Sequence, residues 1–197
     1  MGCGRKKPKR RILVLGLDHS GKTTMVERLK MEAAHAKAMR KQKKKKGEAD
    51  RSSAVVAPTA PTVGYQESIF AHKGVKLTSF DMSGSAHYRH LWEHYFEEVN
   101  GLVFVIDAAD RGRFGEVADC LAELLVNEKF EENQAPILFL ANKMDLPGAA
   151  EANEIVNGMN LNIKRIRNRA WNVSATNSLT GEGLLPAFAW LSDQMAP

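Results

Sequence analysis

The sequence has little of what secreted and membrane-spanning proteins need. Cysteine occurs at only two of the 197 positions, Cys3 and Cys120, which is too few for a disulfide framework and predicts a reducing, cytosolic compartment. No apolar run approaches the roughly 18 residues that a membrane helix requires. The basic N-terminus has no apolar stretch behind it, so we do not expect a secretory signal.

Positive charge is unevenly distributed along the chain. Residues 1–11 and residues 27–51 each carry a net charge of +6, whereas the whole chain carries +5 and the remainder therefore −7. This pattern indicates an acidic globular body with two basic appendages. The length and the 44% apolar content fit one domain, which we place at residues 12–197 behind a basic tail of residues 1–11.

Short apolar runs alternate with helical patterns, which is typical of an α/β fold with a mostly parallel sheet and helices on both faces. The second and third runs are joined through residues 72–74, which favours an antiparallel hairpin. Helices are predicted from Lys22 onwards, around residues 117–125 and over residues 184–195. The six predicted strands are residues 12–15, 65–70, 75–80, 102–106, 137–141 and 171–175.

Residues 31–60 interrupt this alternation and form an extended basic insertion. Its first part could extend the first helix, because Ala, Met, Lys and Arg are good helix formers. After Gly47 there is no apolar periodicity, and we expect a mobile segment. The lysine run at residues 41–46 has no interleaved aromatics to stack on bases, so we do not expect it to bind nucleic acid. A solvated loop and a contact with an acidic membrane surface are the alternatives.

Residues 16–23, with the sequence GLDHSGKT, match the phosphate-binding pattern GxxxxGK[ST] in full. They lie between a predicted strand and a predicted helix, which is the context that this motif requires. Backbone N–H groups and the helix N-terminus can surround phosphate oxygens there, with Lys22 reaching the β- and γ-phosphates and the Thr23 hydroxyl on Mg²⁺. The expected nucleotide contacts from this loop are Gly16, Asp18, His19, Ser20, Gly21, Lys22, Thr23 and Thr24.

The segment Asn142-Lys143-Met144-Asp145 follows directly after a predicted strand. The Asp145 carboxylate can accept hydrogen bonds from both the ring N–H and the exocyclic amine of guanine. Adenine lacks this pair of donors and would leave the carboxylate unpaired, which is costly. The sequence therefore predicts a site for GTP and GDP, with Asn142, Lys143 and Asp145 around the base.

Two further segments supply candidate metal ligands. The sequence FDMSG at residues 80–84 ends a predicted strand, so Asp81 could hold Mg²⁺ directly or through water, and the Gly84 N–H could sense the γ-phosphate. Thr62 is the natural second hydroxyl ligand. Ordering of these loops by Mg²⁺ and γ-phosphate would make a switch. The predicted metal ligands are Thr23, Thr62 and Asp81, and the candidate catalytic residues are Lys22, Thr62, Gly84 and Ser85.

Three histidines offer another metal site, because His87, His90 and His94 could share one helix face. They lack a fourth ligand at a sensible spacing, so we do not expect them to hold zinc.

In combination, these motifs resemble the ADP-ribosylation factor branch of the small GTPases, over about residues 10–195 apart from the insertion. The segments GLDHSGKTT, PTVGY, FDMSG, LWEHYF, FVIDAADR and LANKMDL occur in that branch's order. Within it, YRHLWEHYF, PILFLANKMDL and GEGLLPAFAWL are most similar to the sixth Arf-like subtype, the ciliary member associated with Bardet–Biedl syndrome, which recruits a membrane coat.

The resemblance implies a P-loop, Ras-like GTPase fold and a monomer that binds Mg·GTP and GDP. In the GTP state it would recruit an effector or coat to membranes in ciliary or flagellar trafficking. The effector would bind through the first switch (residues 59–65), the strand pair of residues 65–80 and the second switch (residues 81–95). An exchange factor and an activating protein are the other implied partners.

The resemblance also assigns roles to individual residues. It implies that Ser174, Ala175 and Thr176 complete the guanine pocket through backbone N–H groups. It implies further that Tyr65, Phe80 and Tyr95 form an aromatic cluster that faces the effector. The strand pair of residues 65–80 would shift register between the two nucleotide states.

The N-terminus departs from the family, whose members usually have an amphipathic helix ahead of the first strand. Residues 1–11 have almost no apolar content. Gly2 could be myristoylated and Cys3 palmitoylated, although Lys6 stands where the myristoylation motif prefers Ser or Thr. Acyl chains beside six basic residues would anchor a cytoplasmic protein to a membrane, at the base of a cilium or flagellum. A solvated basic tail without lipid is the alternative.

A second departure concerns catalysis. The family commonly has glutamine after the glycine of DxxG, where it orients the attacking water, and this chain has Ser85. The serine side chain is too short to reach in the same way, so intrinsic hydrolysis should be very slow. His87 is a candidate substitute. Two alternatives to a regulatory GTPase stay open: a hydrolysis-deficient GTP-binding scaffold, and an RNA- or ribosome-associated GTPase suggested by the lysine run.

Single-turnover hydrolysis of pre-bound GTP, with ATP as the control nucleotide, tests the role of Ser85. We expect slow turnover in the unmodified protein and faster turnover in Ser85→Gln, because the longer amide can orient the water. If His87 substitutes for the glutamine, His87→Ala should lose the remaining activity. No turnover in either the unmodified protein or Ser85→Gln, with GTP still tightly bound, would favour the scaffold.

Overall fold

A mixed six-stranded sheet organises the part of the chain that the computed structural model describes, which is residues 9–42, 59–72, 75–158, 166 and 169–195. The strands are β1 (Lys9–Leu15), β2 (Tyr65–His72), β3 (Val75–Met82), β4 (Gly101–Asp107), β5 (Ile137–Asn142) and β6 (Trp171–Ala175). Their order is β2-β3-β1-β4-β5-β6. The hairpin of β2 and β3 is antiparallel and the other pairs are parallel, so the predicted sheet is confirmed.

Five α-helices surround this sheet in the described residues: α1 (Lys22–Gln42), α2 (Phe114–Val126), α3 (Glu128–Asn133), α4 (Ala152–Gly158) and α5 (Leu184–Gln194). Two 3₁₀ helices cover Ala86–Tyr95 and Arg111–Arg113. The insertion extends the first helix as predicted, since α1 continues to Gln42. The segment expected to be mobile, from Gly47 to residue 58, lies outside the described residues. Among the helices that are described, none combines the length and the apolar character needed to cross a membrane.

The two faces of the sheet carry separate hydrophobic cores. Successive side chains of a strand point to opposite faces. Ile12 and Val14 of β1 therefore pack in the core that contains residues of α1 and α5. Leu13 and Leu15 pack in the other core, with residues of α2. The helices accordingly cover both faces, and β4 and β5 read as continuous apolar runs because they are buried on both sides.

The first strand begins earlier than predicted, because residues 9–11 pair with residues 76–78 of β3. Arg10 Nε donates to the backbone oxygen of Met195 at 2.9 Å, and the Arg11 N–H donates to Asn100 Oδ1 at 2.9 Å. A sheet ladder uses backbone groups, so basic side chains are compatible with it where they reach solvent. The boundary predicted after residue 11 was therefore too late, and residues 1–8 lie outside the described part.

The parallel strands bring their carboxyl ends to one edge of the sheet. The loops that follow β1, β3, β4, β5 and β6 meet there, at residues 16–21, 83–85, 108–110, 143–151 and 176–183. In sheets of this kind, ligands bind in the crevice outside the carboxyl ends of the strands. The predicted phosphate and base segments both lie in these loops.

Candidate functional site

A cavity of about 570 Å³ opens at this edge of the sheet. Five segments that are far apart in sequence form its wall. They are the phosphate loop, the first switch, the start of the second switch and the loops that follow β5 and β6. The wall consists of Asp18, His19, Gly21–Thr24, Thr59–Val63, Ser83–Ser85, Tyr88, Asn142, Lys143, Asp145, Leu146 and Asn177–Leu179.

Close backbone contacts shape the phosphate loop. A Cβ on Gly16 would lie 2.2 Å from the Val105 carbonyl oxygen, and one on Gly21 would lie 2.4 Å from Asn142 Nδ2. The Ser20 hydroxyl donates to the Leu17 carbonyl at 2.9 Å and is buried. Gly16 and Ser20 are not part of the cavity wall, and both make contacts that shape the loop.

Lys22 is buried at the base of the cavity. Its Nζ donates to the Leu17 carbonyl oxygen at 2.7 Å. Burial lowers the pKa of this ammonium to about 8, although the nearby carboxylates of Asp81 and Asp18 favour the charged form. The Lys22 ammonium therefore loses its proton more easily than an exposed lysine does, and an anionic ligand would stabilise its charged form.

Asp81 lies next to Lys22 with only 1% of its surface exposed. Neither of its carboxylate oxygens accepts a hydrogen bond within the described residues. Burial raises the pKa of this carboxyl, and the nearby Thr23 hydroxyl and the charge of Lys22 oppose the shift only in part. A buried carboxylate without a partner is a costly arrangement that a bound cation would relieve.

The hydroxyls of Thr23 and Thr62 complete a donor set around this position. Their Oγ1 atoms lie 2.8 Å apart, close to the separation of about 2.9 Å between adjacent ligands of an octahedral Mg²⁺ ion. Thr24 and Thr59 make a second, longer hydroxyl contact of 3.3 Å between the same two segments. Oxygen donors and an unpaired carboxylate are what Mg²⁺ requires, so the predicted ligands fit this ion.

Asn142 connects the base loop to the phosphate loop. Its Nδ2 donates to the Ser20 carbonyl at 2.8 Å, while its Oδ1 accepts from the backbone and the hydroxyl of Ser178 at 3.0 and 2.8 Å. Lys143 is left-handed, with a φ of 66°, and its Nζ lies 2.6 Å from Asp107 Oδ2. Asp145 is exposed on the cavity wall, where a ligand could reach its carboxylate.

The three residues predicted to complete the guanine pocket directly precede a stretch of the cavity wall. Ser174 and Ala175 lie inside β6, and the Thr176 N–H donates to the Ala141 carbonyl at 2.8 Å. These three residues are not part of the cavity wall, whereas Asn177, Ser178 and Leu179 are. The role of these three residues in the base pocket stays a prediction.

The second switch begins directly against the phosphate loop. A Cβ on Gly84 would lie 2.3 Å from the Asp18 nitrogen, so only glycine fits. Ser85 lines the cavity, and so does Tyr88, which sequence reasoning missed. Tyr88 could have been found from its spacing, because residues three apart share one face of a 3₁₀ helix. His87 is exposed and is not in the wall.

Two other predictions concern this segment. The aromatic cluster is confirmed, with ring centroids 5.6 Å apart for Tyr65 and Tyr95 and 4.9 Å apart for Phe80 and Tyr95. Among the described residues, no group of three His, Cys, Asp or Glu side chains could hold a metal ion. For His87, His90 and His94, the absence of zinc stays a prediction.

The fold and the site define a P-loop, Ras-like nucleotide-binding domain. The sequence profile of the ADP-ribosylation factor family matches residues 3–43 and 49–195. The chain belongs to this family. It is therefore a small GTPase that binds guanine nucleotides and hydrolyses GTP.

Individual relatives agree with this assignment. The chain is 35% identical over 192 residues to ADP-ribosylation factor-like protein 6 of Danio rerio, an alignment that covers 98% of this chain and 91% of the relative. It is also similar to the Arl6 BBS3 small GTPase from Trypanosoma brucei, whose structure was solved with the bound nucleotide analogue GppNp. That match has a TM-score of 0.75 and 30% identity, and covers 95% of this chain and 97% of the other. The resemblance stated from the sequence motifs is thereby confirmed.

Nucleotide affinity should depend on pH through Lys22. With a pKa of about 8 in the free site, the side chain is charged at lower pH and loses its proton at higher pH. Phosphate oxygens favour the ammonium form, so binding above this pH must take up a proton. We expect GDP affinity to be flat below pH 8 and to fall above it by up to roughly tenfold per pH unit.

Calorimetry in two buffers of different ionisation enthalpy measures this proton uptake directly. Lys22→Arg keeps its charge over the same pH range and should show no uptake at whatever affinity it retains. Equal uptake by both proteins would mean that another group titrates.

Proposed function

We propose that this GTPase is a Mg·GTP-dependent switch that recruits an effector or coat to a membrane, in ciliary or flagellar protein trafficking. The observation that carries the proposal is the contact between Thr62 of the first switch and Thr23 beside the unpaired carboxylate of Asp81. These groups link the conformation of the first switch to the occupancy of the metal and phosphate site. The trafficking role is supported by the similarity to Arf-like protein 6.

The nucleotide state would control the first switch through its hydroxyl ligand. Thr23, Thr62 and Asp81 would hold Mg²⁺, which when bound neutralises phosphate charge. Thr62 lies between the exposed residues Pro61 and Val63, so its position should depend on that ligation. Loss of the γ-phosphate would then release residues 59–65, and the effector surface would change.

Hydrolysis would use the residues at the γ-phosphate end of the cavity. Lys22 would stabilise charge on the phosphate oxygens, and the Gly84 N–H would donate to the γ-phosphate. Ser85 and Tyr88 form the wall where the attacking water would lie. No arginine is part of the cavity wall in the described residues, so we expect an activating partner to supply one.

The effector surface is expected along β2 and the switches. Three apolar side chains are exposed there: Val63 by 77%, Tyr65 by 51% and Ile69 by 52%. β2 is an edge strand of the sheet, so its outer backbone groups are also available to a partner. Apolar contacts and aromatic rings are what protein interfaces favour. The aromatic cluster of Tyr65, Phe80 and Tyr95 connects this strand to the second switch.

Membrane attachment is proposed from the sequence of the N-terminus, which lies outside the described residues. Gly2 and Cys3 are candidate acylation sites beside a run of basic residues. A lipid chain and a basic patch together satisfy the two-signal requirement for stable anchoring.

Trp92 offers an internal reporter of the switch. It is buried, and its indole Nε1 donates to the Ser83 carbonyl at 3.2 Å, next to the glycine expected to sense the γ-phosphate. In the double variant Trp171→Phe/Trp190→Phe, Trp92 is the one remaining tryptophan. We expect exchange of GDP for a non-hydrolysable GTP analogue to shift the tryptophan emission of this variant. The shift should require Mg²⁺.

Controls separate the switch from simple binding. An ATP analogue should give no shift, and Thr62→Ala should bind GDP nearly as well as the parent but respond weakly to the GTP analogue. Identical emission in the two nucleotide states, with both nucleotides bound, would contradict a switch at this site.

Sedimentation with vesicles tests the membrane part of the proposal. We expect the full chain to bind phosphatidylserine vesicles better than neutral ones and to lose binding as salt screens the charges. Changing Arg5, Lys6 and Lys7 together to Gln should weaken vesicle binding. We expect the chain not to bind RNA at moderate salt. RNA binding that persists at that salt would instead favour a ribosome-associated GTPase.

A further inference from the structure

A chain of polar contacts runs from the phosphate loop through the start of α2 to the second switch. Arg113 Nη2 lies 2.6 Å from Asp18 Oδ1, and Arg113 Nη1 donates to the Asp18 carbonyl at 3.3 Å. On its other side Arg113 Nε donates to Glu116 Oε2 at 2.9 Å. Glu116 Oε1 accepts from Arg89 Nη2 at 2.6 Å, and Arg89 Nε donates to the Gly84 carbonyl at 3.2 Å. We call these four side chains the relay.

The charges of the relay alternate and balance. Two carboxylates, Asp18 and Glu116, face two guanidinium groups, and each guanidinium contacts two different acceptors. The contact with Arg113 is the largest cause of the lowered pKa of both carboxyl groups. Such charge-assisted contacts are stronger and more directional than neutral hydrogen bonds. Asp18 and Glu116 are therefore ionised near neutral pH, and the position of each side chain in the relay depends on its neighbours.

Both ends of the relay lie at the nucleotide site. At one end is Asp18, whose residue lines the cavity beside the phosphate loop. A free carboxylate there would repel phosphate oxygens, and Arg113 holds and neutralises it. At the other end is the carbonyl of Gly84, the residue whose backbone lies against Asp18 at the γ-phosphate end of the site.

We propose that Asp18, Arg113, Glu116 and Arg89 are positioning residues that hold Gly84 against the phosphate loop and so favour GTP over GDP. This proposal rests on the proposed switch function of the same site. The relay connects the second switch to the phosphate loop, because Arg113 and Glu116 at the start of α2 contact Asp18 on one side and Arg89 on the other. Only GTP has the γ-phosphate that the Gly84 N–H can contact, so the relay strengthens GTP binding selectively.

Affinities for a non-hydrolysable GTP analogue and for GDP, measured with Mg²⁺ on the full chain, test the relay. Arg113→Ala and Glu116→Gln should each lower the ratio of GTP-analogue to GDP affinity by about tenfold, mainly through the GTP analogue. Because both residues act in one chain of contacts, the double variant should lose about as much as either single variant. Arg111→Ala is the matched control, since Arg111 pairs with Glu154 on the surface and should leave the ratio unchanged.

The outcomes distinguish the relay from the switch itself. An unchanged ratio in both single variants, or losses that multiply in the double variant, would overturn the relay while the Trp92 response of the parent stays intact. Identical tryptophan emission with the GTP analogue and with GDP bound to the parent would instead count against the switch. If Arg113→Ala does not fold, Arg89→Lys keeps the charge but loses the forked contact, and it should lower the same ratio.

Discussion

Asp81 carries a carboxylate that is almost fully buried and accepts no hydrogen bond in the described residues, which is a costly state for an ionised group. The groups around Asp81 are arranged in ways that reduce this cost. Lys22 is buried beside it with a lowered pKa, and the hydroxyls of Thr23 and Thr62 meet at the spacing of two metal ligands. A site of this kind is incomplete without a cation and an anion, so its flanking loops can respond to what is bound.

The sheet places these groups where they can act together. Five parallel strand ends deliver the phosphate loop, the DxxG segment and the base loops to one edge, and the antiparallel β2 adds the exposed strand next to the switches. Asn142 then joins the base side to the phosphate side through buried hydrogen bonds to Ser20 and Ser178. The base side of the site is thus fastened to the core, whereas Thr62 lies in a segment whose neighbouring residues are exposed. This division suits a protein whose surface must change with its ligand.

Sequence reasoning succeeded where the chemistry is encoded in neighbouring residues. The phosphate loop, the DxxG segment and the NKxD segment are each contiguous, and the apolar runs of buried strands located the sheet and its hairpin. It failed where a conclusion depended on backbone groups already in use. Residues 9–11 were assigned to a tail although their backbone groups extend β1. Tyr88 and the Asp18–Arg113 contact were not anticipated at all.

By itself, the sequence determined the class of fold, the kind of ligand and the family, because those depend on local residue order and on burial periodicity. The tertiary structure decided which side chains are left unpaired and which distant segments meet. Asp18 and Arg113 are 95 positions apart, and Ser20 and Asn142 are 122 apart. Their contacts arise from the path of the chain across the sheet, so no local pattern could reveal them. No local pattern could reveal the state of Asp81 either. Its carboxylate accepts no hydrogen bond within the described residues because of how the surrounding elements pack.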